Sequence, residues 1–192
     1  PEARRRSRLS PRRPARAEVV GSLLRPQELR AAVETRSDPV HLGAIADRTI
    51  EDVVARQIDL GLDVVSDGEF RRWMFLNSFY DAVSGVATDR SEVEFRNERG
   101  ETVVLTVPSV EARLEQVDSP AAREAAFLAK ITEHPFKVTF PAASIFVHPF
   151  GVSTDAYPTH EEFVAEAVAI ERRLIAEAVE AGCRYVQLDF PL

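Results

Sequence analysis

Short apolar runs along this chain alternate with longer stretches in which apolar residues recur every third or fourth position. The first run, AEVVGS at residues 17–22, reads as a strand that ends at Gly21-Ser22. PQELRAAVETR follows as a short helix, with Pro26 at the first helical position, where a missing N–H costs nothing. Between Gly43 and Leu60, Ile45, Ile50, Val53, Val54 and Ile58 share helical spacing and give one apolar face. Gly61 ends that helix. LDVVSDGE then predicts a second buried strand, with Ser66, Asp67, Gly68 and Glu69 breaking out at its end.

Residues 79–106 have a different texture, and the turn-forming stretch Asn97–Gly100 predicts a β-hairpin excursion. Ser119-Pro120 reads as a cap with proline in the first helical turn, continued by AAREAAFLAK. KVTFP is a third strand, stopped by Pro141. Thr159 and Glu162 have capping-box spacing, the hydroxyl and the carboxylate each satisfying one orphan amide. Phe163, Ala167, Ile170, Leu174 and Ala178 then line one helix face, closed by Gly182. RYVQLD is the last strand. Strands alternating with helices predict an α/β fold with a parallel sheet, in about four strand–helix steps. A complete eightfold barrel has eight such steps in roughly 250 residues, so about four steps make up half of one.

Composition adds limits. Hydrophobic content of 45% with 29% charged residues suits a globular domain with its own core. No apolar run reaches the roughly 18 to 20 residues that span a bilayer. The one cysteine, Cys183, excludes an internal disulfide and any multi-cysteine zinc site within this chain, and suits a reducing, cytoplasmic setting. Charge is uneven. Residues 1–16 hold seven arginines and one acid, a net of +6, so residues 17–192 carry −13 of the total −7. An acidic body argues against nucleic-acid binding, and the want of a spanning apolar run gives no membrane partner. The arm is read as a disordered, solvated Arg/Pro-rich segment, with an organelle transit segment, an RNA-binding tail and a misassigned start as the alternatives; lacking an apolar stretch, it is no secretory signal.

Ser22, Glu69 and Asp189 stand at the carboxyl ends of predicted strands, the rim where barrels of parallel strands build their sites. Two carboxylates facing one pocket suit an amine, or act as a proton-transfer pair. Each also has a plainer reading: a loop brace for Glu69, a helix cap for Asp189, a turn for Ser22. Asp67 is expected to bond nearby amides. Trp73 and Phe75 are expected in buried packing, with a pocket wall as the alternative, and Arg25, Arg71 and Arg72 in ion pairs rather than on an anionic substrate group. His134, His148 and His160 have no partner at metal-ligand spacing, and Cys183 reads as a small buried residue.

VGSLLRP, GLDVVSDGEFRR, KVTFPAAS and AGCRYVQLD occur in this order across residues 17–192. That series resembles the catalytic domain of the cobalamin-independent methionine synthase family and its short single-domain relatives. The resemblance implies a (β/α)8 TIM-barrel type fold, of which this chain holds the N-terminal half with a β-hairpin insertion. It implies that Ser22 contacts the backbone groups of an amino acid whose ammonium Glu69 and Asp189 receive. It implies a zinc ion that holds homocysteine as a thiolate, and a methylfolate as methyl donor. The family's zinc ligands belong to the second half of the barrel, so no metal ligand is assigned in this chain. Asp189-Phe190-Pro191 replaces the usual second acid with phenylalanine, Pro141-Ala142-Ala143-Ser144 departs from the family's serine-rich word, and Glu18-Val19 stands where relatives often carry histidine.

The expected function is therefore part of a zinc-dependent methyl or alkyl transferase acting on a homocysteine-like thiol. The rivals are a coenzyme M-type epoxide-opening transferase of the same family and a non-catalytic half-barrel that binds or assembles. A uroporphyrinogen decarboxylase-like relative is disfavoured by the GEFRR and QLD words. Open strand edges predict pairing with a complementary half-barrel chain or with a second copy.

Overall fold

The computed structural model describes residues 17–35, 37–96, 99–147, 152 and 155–190. The arginine-rich arm at residues 1–16 and His148 lie outside that set, as do Asn97 and Pro191. The elements run α1 (Gln27–Glu34), α2 (Pro39–Asp59), α3 (Asn77–Tyr80), β1 (Val83–Arg96), β2 (Thr102–Gln116), α4 (Pro120–Ile131), β3 (Lys137–Pro141), a 3-10 turn (Ala143–Val147), α5 (His160–Glu180) and β4 (Tyr185–Asp189).

The fold is α/β. β3 and β4 pair in parallel, with Thr139 opposite Gln187 and Pro141 opposite Asp189. The two earlier strand candidates shorten to single parallel bridges, Glu18 to Val64 and Val65 to Phe136. Four parallel segments thus neighbour one another in chain order, but the described residues form no closed barrel. On the side away from β3, the ladder at the second segment stops for a specific reason. Gln57 of α2 takes both backbone groups of Ser66, donating from Nε2 to its carbonyl at 2.8 Å and accepting its N–H at 3.1 Å. A neighbouring strand therefore finds neither group of Ser66 free to pair.

Side chains alternate along β3. Val138 and Phe140 enter an apolar core shared with α4 and α5, while Lys137, Thr139 and Pro141 face the other way. In that core Phe146 stacks obliquely on Phe79 at 4.6 Å between ring centres, and Phe163 meets Tyr157 edge-on at 5.4 Å. A second core joins α1 and α2 through Leu29, Ile45, Ile50 and Val54, reaching Val65, Phe70 and Leu128.

Most element expectations hold, with corrections at the ends. α2 begins at Pro39 rather than near Gly43, because Asp38 caps it, accepting from Val40 N and His41 N at 3.1 Å each. Ile58 on the expected apolar face is exposed, and Gln57 is buried in its stead. Pro26 is the N-cap of α1, one position before the helix. Ser119 precedes α4 without a capping bond from its side chain, whereas Thr159 Oγ1 accepts from Glu162 N at 3.2 Å, the hydroxyl half of the expected box, and the Glu162 carboxylate lies 3.9 Å from Arg113. All five residues expected along the inner face of α5 are buried.

The hairpin is longer than the pattern predicts, its second strand running to Gln116. Its register shifts between Ser84 and Val86, where Gly85 adopts φ +88°. A Cβ there would sit 2.5 Å from the carbonyl oxygen of Arg113. Gly85→Ala is expected to lower unfolding free energy by about 2 kcal/mol, read from urea denaturation; a loss under about 0.5 kcal/mol would show that the bulge relaxes.

Candidate functional site

The turn at the end of the second parallel segment sets the site. Gly68 and Glu69 both take positive φ, +71° and +58°. For glutamate that conformation is unfavourable, so neighbours must hold it. Asp67 Oδ1 accepts from Glu69 N at 2.9 Å, and Arg25 donates to Glu69 O at 3.0 Å. Arg25 also bonds the carbonyl of Arg72, so one guanidinium ties both ends of the turn. Arg25 is thus bonded to carbonyls and not to the expected acid.

The side chain of Glu69 is held as firmly as its backbone. Ser22 Oγ donates to Oε2 at 2.6 Å and Thr139 Oγ1 donates to Oε1 at 2.8 Å. Arg72 in turn donates to Thr139 Oγ1 at 2.8 Å. Arg72 is buried and forms a two-pronged pair with Glu124 of α4, its Nε 2.9 Å from Oε1 and its second contact to Oε2. Its remaining approach to Glu69 Oε1 is 3.9 Å.

Ser22, Glu69 and Asp189 come together on one open cleft of about 500 Å³, joined by Val20, Phe75 and Gln187. Asp189 Oδ1 accepts from Gln187 Nε2, which also reaches the carbonyl of Val20 at 2.8 Å. Burial pushes the Asp189 carboxyl upward, and the charge of Glu69 pushes it the same way. A cation placed between the two acids would relieve that repulsion. Asp67 is buried deeper, with Oδ2 unpartnered; burial and the charge of Glu124 push it up to about 7. It serves the turn and does not line the cleft.

Trp73 is the clearest miss: expected in packing, it is 79% exposed. Phe75 is half-buried and forms one wall of the cleft. Arg71 pairs with Asp47 and lies 4.8 Å over the Phe127 ring. His134 Nε2 lies 2.8 Å from the Leu62 carbonyl, and His160 opens α5 against Phe163. Cys183 is buried, its thiol pushed up by that burial. Sequence reading missed Thr139, Glu124 and Gln187. The signal was there for Thr139: Lys137 and Thr139 at alternate positions of a buried strand mark a polar inner face.

Among the described residues no group of three or more His, Cys, Asp and Glu is arranged to hold a metal ion. None of the described helices is long and apolar enough to cross a membrane.

Residues 19–192 match the protein family described as "Cobalamin-independent synthase, Catalytic domain". Two Bacillus subtilis (strain 168) relatives are "Uncharacterized protein YxjH", 30% identical over 185 residues, and "Uncharacterized protein YxjG", 28% identical over 186. Each alignment covers 92% of this chain and 48% of the relative, so the chain spans about half the length of the curated relatives it matches. Among solved structures, a B12-independent methionine synthase from Shewanella sp. W3-18-1 in complex with selenomethionine is similar at a TM-score of 0.72 and 23% identity, covering 91% of this chain and 51% of that one. A putative vitamin-B12 independent methionine synthase from Listeria monocytogenes is similar at 0.69 and 24%, covering 88% and 50%. At these identities the two structures show a shared fold.

Proposed function

We propose, since this chain belongs to the cobalamin-independent synthase catalytic-domain family, that it supplies the amino-acid-binding wall of a methyl or alkyl transferase acting on a homocysteine-like thiol. One observation carries the reading: Ser22, Glu69 and Asp189, from the ends of three different parallel segments, line a single cleft. An α-ammonium fits between two carboxylates, and the Ser22 hydroxyl, whose proton is on Glu69, keeps lone pairs that can accept from that ammonium. The selenomethionine bound in the Shewanella protein is an amino acid of the same class. A sulfonate thiol would instead face two negative groups, which disfavours the coenzyme M-type alternative.

In this reading the four parallel segments are the N-terminal half of a (β/α)8 barrel, and residues outside this chain complete it. The chain's own task is to bind and orient. Glu69 and Asp189 fix the ammonium end, which sets the direction in which the thiol points along the cleft. Zinc, which the family implies, would supply thiolate activation, but the described residues do not fit it. No step is therefore assigned to metal within this chain, and the methylfolate donor remains part of the proposal for the complete enzyme.

Calorimetric titration of the 192-residue chain tests the reading, with L-homocysteine kept reduced, L-methionine, and 2-mercaptoethanesulfonate as probes. Both amino acids are expected to bind saturably, and the sulfonate not to bind. Glu69→Gln removes one charge at constant size and is expected to weaken both amino acids at least tenfold, as loss of a charge-assisted bond should. A chain that binds neither amino acid, or binds them as well after Glu69→Gln, overturns the reading and leaves a binding or assembly role.

A further inference from the structure

We propose that Thr139 and Arg72 are positioning residues for Glu69, setting the affinity of the cleft for an ammonium without touching the ligand themselves; this rests on the amino-acid-binding reading above. Thr139 has one hydroxyl proton and two lone pairs. Arginine can only donate, so the 2.8 Å contact from Arg72 must fall on a lone pair of Thr139 Oγ1. The threonine proton is thereby aimed at Glu69 Oε1, 2.8 Å away. Ser22 donates to the other oxygen at 2.6 Å. Glu69 therefore receives one donor on each oxygen, and one lone pair of each is left for a ligand.

The direction of this chain of bonds is set at its buried end. Glu124 occupies two donors of Arg72 and holds the guanidinium plane still. Without that pair, Arg72 could close its 3.9 Å gap to Glu69 Oε1 and neutralise it directly. The geometry keeps the arginine one residue away, so the carboxylate is oriented through a neutral hydroxyl and its charge stays available to the cleft. Arg72, Thr139, Glu69 and Glu124 are all at most 5% exposed, so water does not compete for these bonds. Thr139 lies 70 residues from Glu69 in the chain and reaches it because β3 neighbours the segment that ends at Val65.

The test is a pair of substitutions read by the same titration. Thr139→Val keeps shape and removes the hydroxyl; it is expected to weaken L-methionine and L-homocysteine binding about tenfold. Thr139→Ser restores the hydroxyl and is expected to return affinity to within about twofold of the parent chain, which lost packing alone would not do. Should Thr139→Val bind as tightly as the parent while Glu69→Gln has lost binding, the positioning role is overturned and the site stands. Valine and serine variants weakened alike likewise overturn it, since the hydroxyl would not be the cause. If neither Glu69→Gln nor Thr139→Val changes binding, the amino-acid-binding reading falls as well.

Discussion

Glu124→Ala is expected to cost this protein about 3–5 kcal/mol of unfolding free energy, the range for removing one partner of a buried ion pair. Arg72 and Glu124 are each 4% exposed, and the pair spans the turn after the second parallel segment and helix α4. Truncating Glu124 leaves a guanidinium without water and without its two-pronged partner. Arginine does not discharge at any accessible pH, so the cost cannot be escaped by losing a proton. Burial is the largest single influence on Arg72 and would lower its pKa, but the charge and hydrogen bonds of Glu124, together with the charges of Asp67 and Glu69, outweigh it and hold the group above its usual range. Urea denaturation should show the midpoint fall while the dependence on urea stays constant. The paired replacement Arg72→Met with Glu124→Leu should cost far less than Glu124→Ala, because it removes both charges together. A loss below about 1 kcal/mol for Glu124→Ala would mean that water or Glu69 takes over the freed donors.

The second large effect is on pH. Stability is expected to fall as pH rises from about 5 to about 7, opposite to the usual behaviour of carboxylates. Burial raises Asp67 to about 7, with help from the charge of Glu124, and burial alone raises Glu171 on α5 to about 7. Unfolded, both lose their protons near pH 4, whereas the folded chain retains them up to about pH 7. Within that window the unfolded state binds fewer protons, so the unfolding free energy declines, by an amount on the order of a few kcal/mol for the two together. Above about pH 7 both states have released these protons and this contribution is flat. Asp189, raised by burial and by Glu69, acts in the same direction. Glu18 and Asp118 act oppositely; bonds to Lys137 and to Arg123 lower them, so their contribution is lost only as pH falls below the ordinary carboxylate range. Urea midpoints at about pH 5, 6, 7 and 8 read the slope, and Glu171→Gln should flatten part of it. Stability that rises steadily from pH 5 to 7 would refute both assignments.

The elements that local patterning controls were legible. The inner face of α5 runs Phe163, Ala167, Ile170, Leu174 and Ala178, and a period of three and four residues leaves no other face to bury. β3 and β4 appear where KVTFP and RYVQLD predict them, and the hairpin where the chain turns strand-like around Gly100. Element ends were less legible. The start of α2 depends on Asp38 reaching two amides, which matters more than the glycine five residues later. The bridge between the first two strand candidates cannot lengthen through Ser66, because Gln57, a residue on a helix, holds both of its backbone groups.

What the sequence determined by itself is local: the order of strands and helices, the faces that must be buried, and three polar residues at strand ends. Words such as VGSLLRP and DGEFRR added the family. Only the tertiary structure decided where those three residues stand relative to one another. It placed Ser22, Glu69 and Asp189 on one cleft, set Thr139 and Arg72 behind Glu69, and left Trp73 in the open. The reason is range. Helix and strand patterns arise from neighbours a few residues apart, whereas the bonds on Glu69 join groups 47 and 70 positions away. Those partners meet only when parallel segments stack side by side, and no local preference records which side chains then face each other.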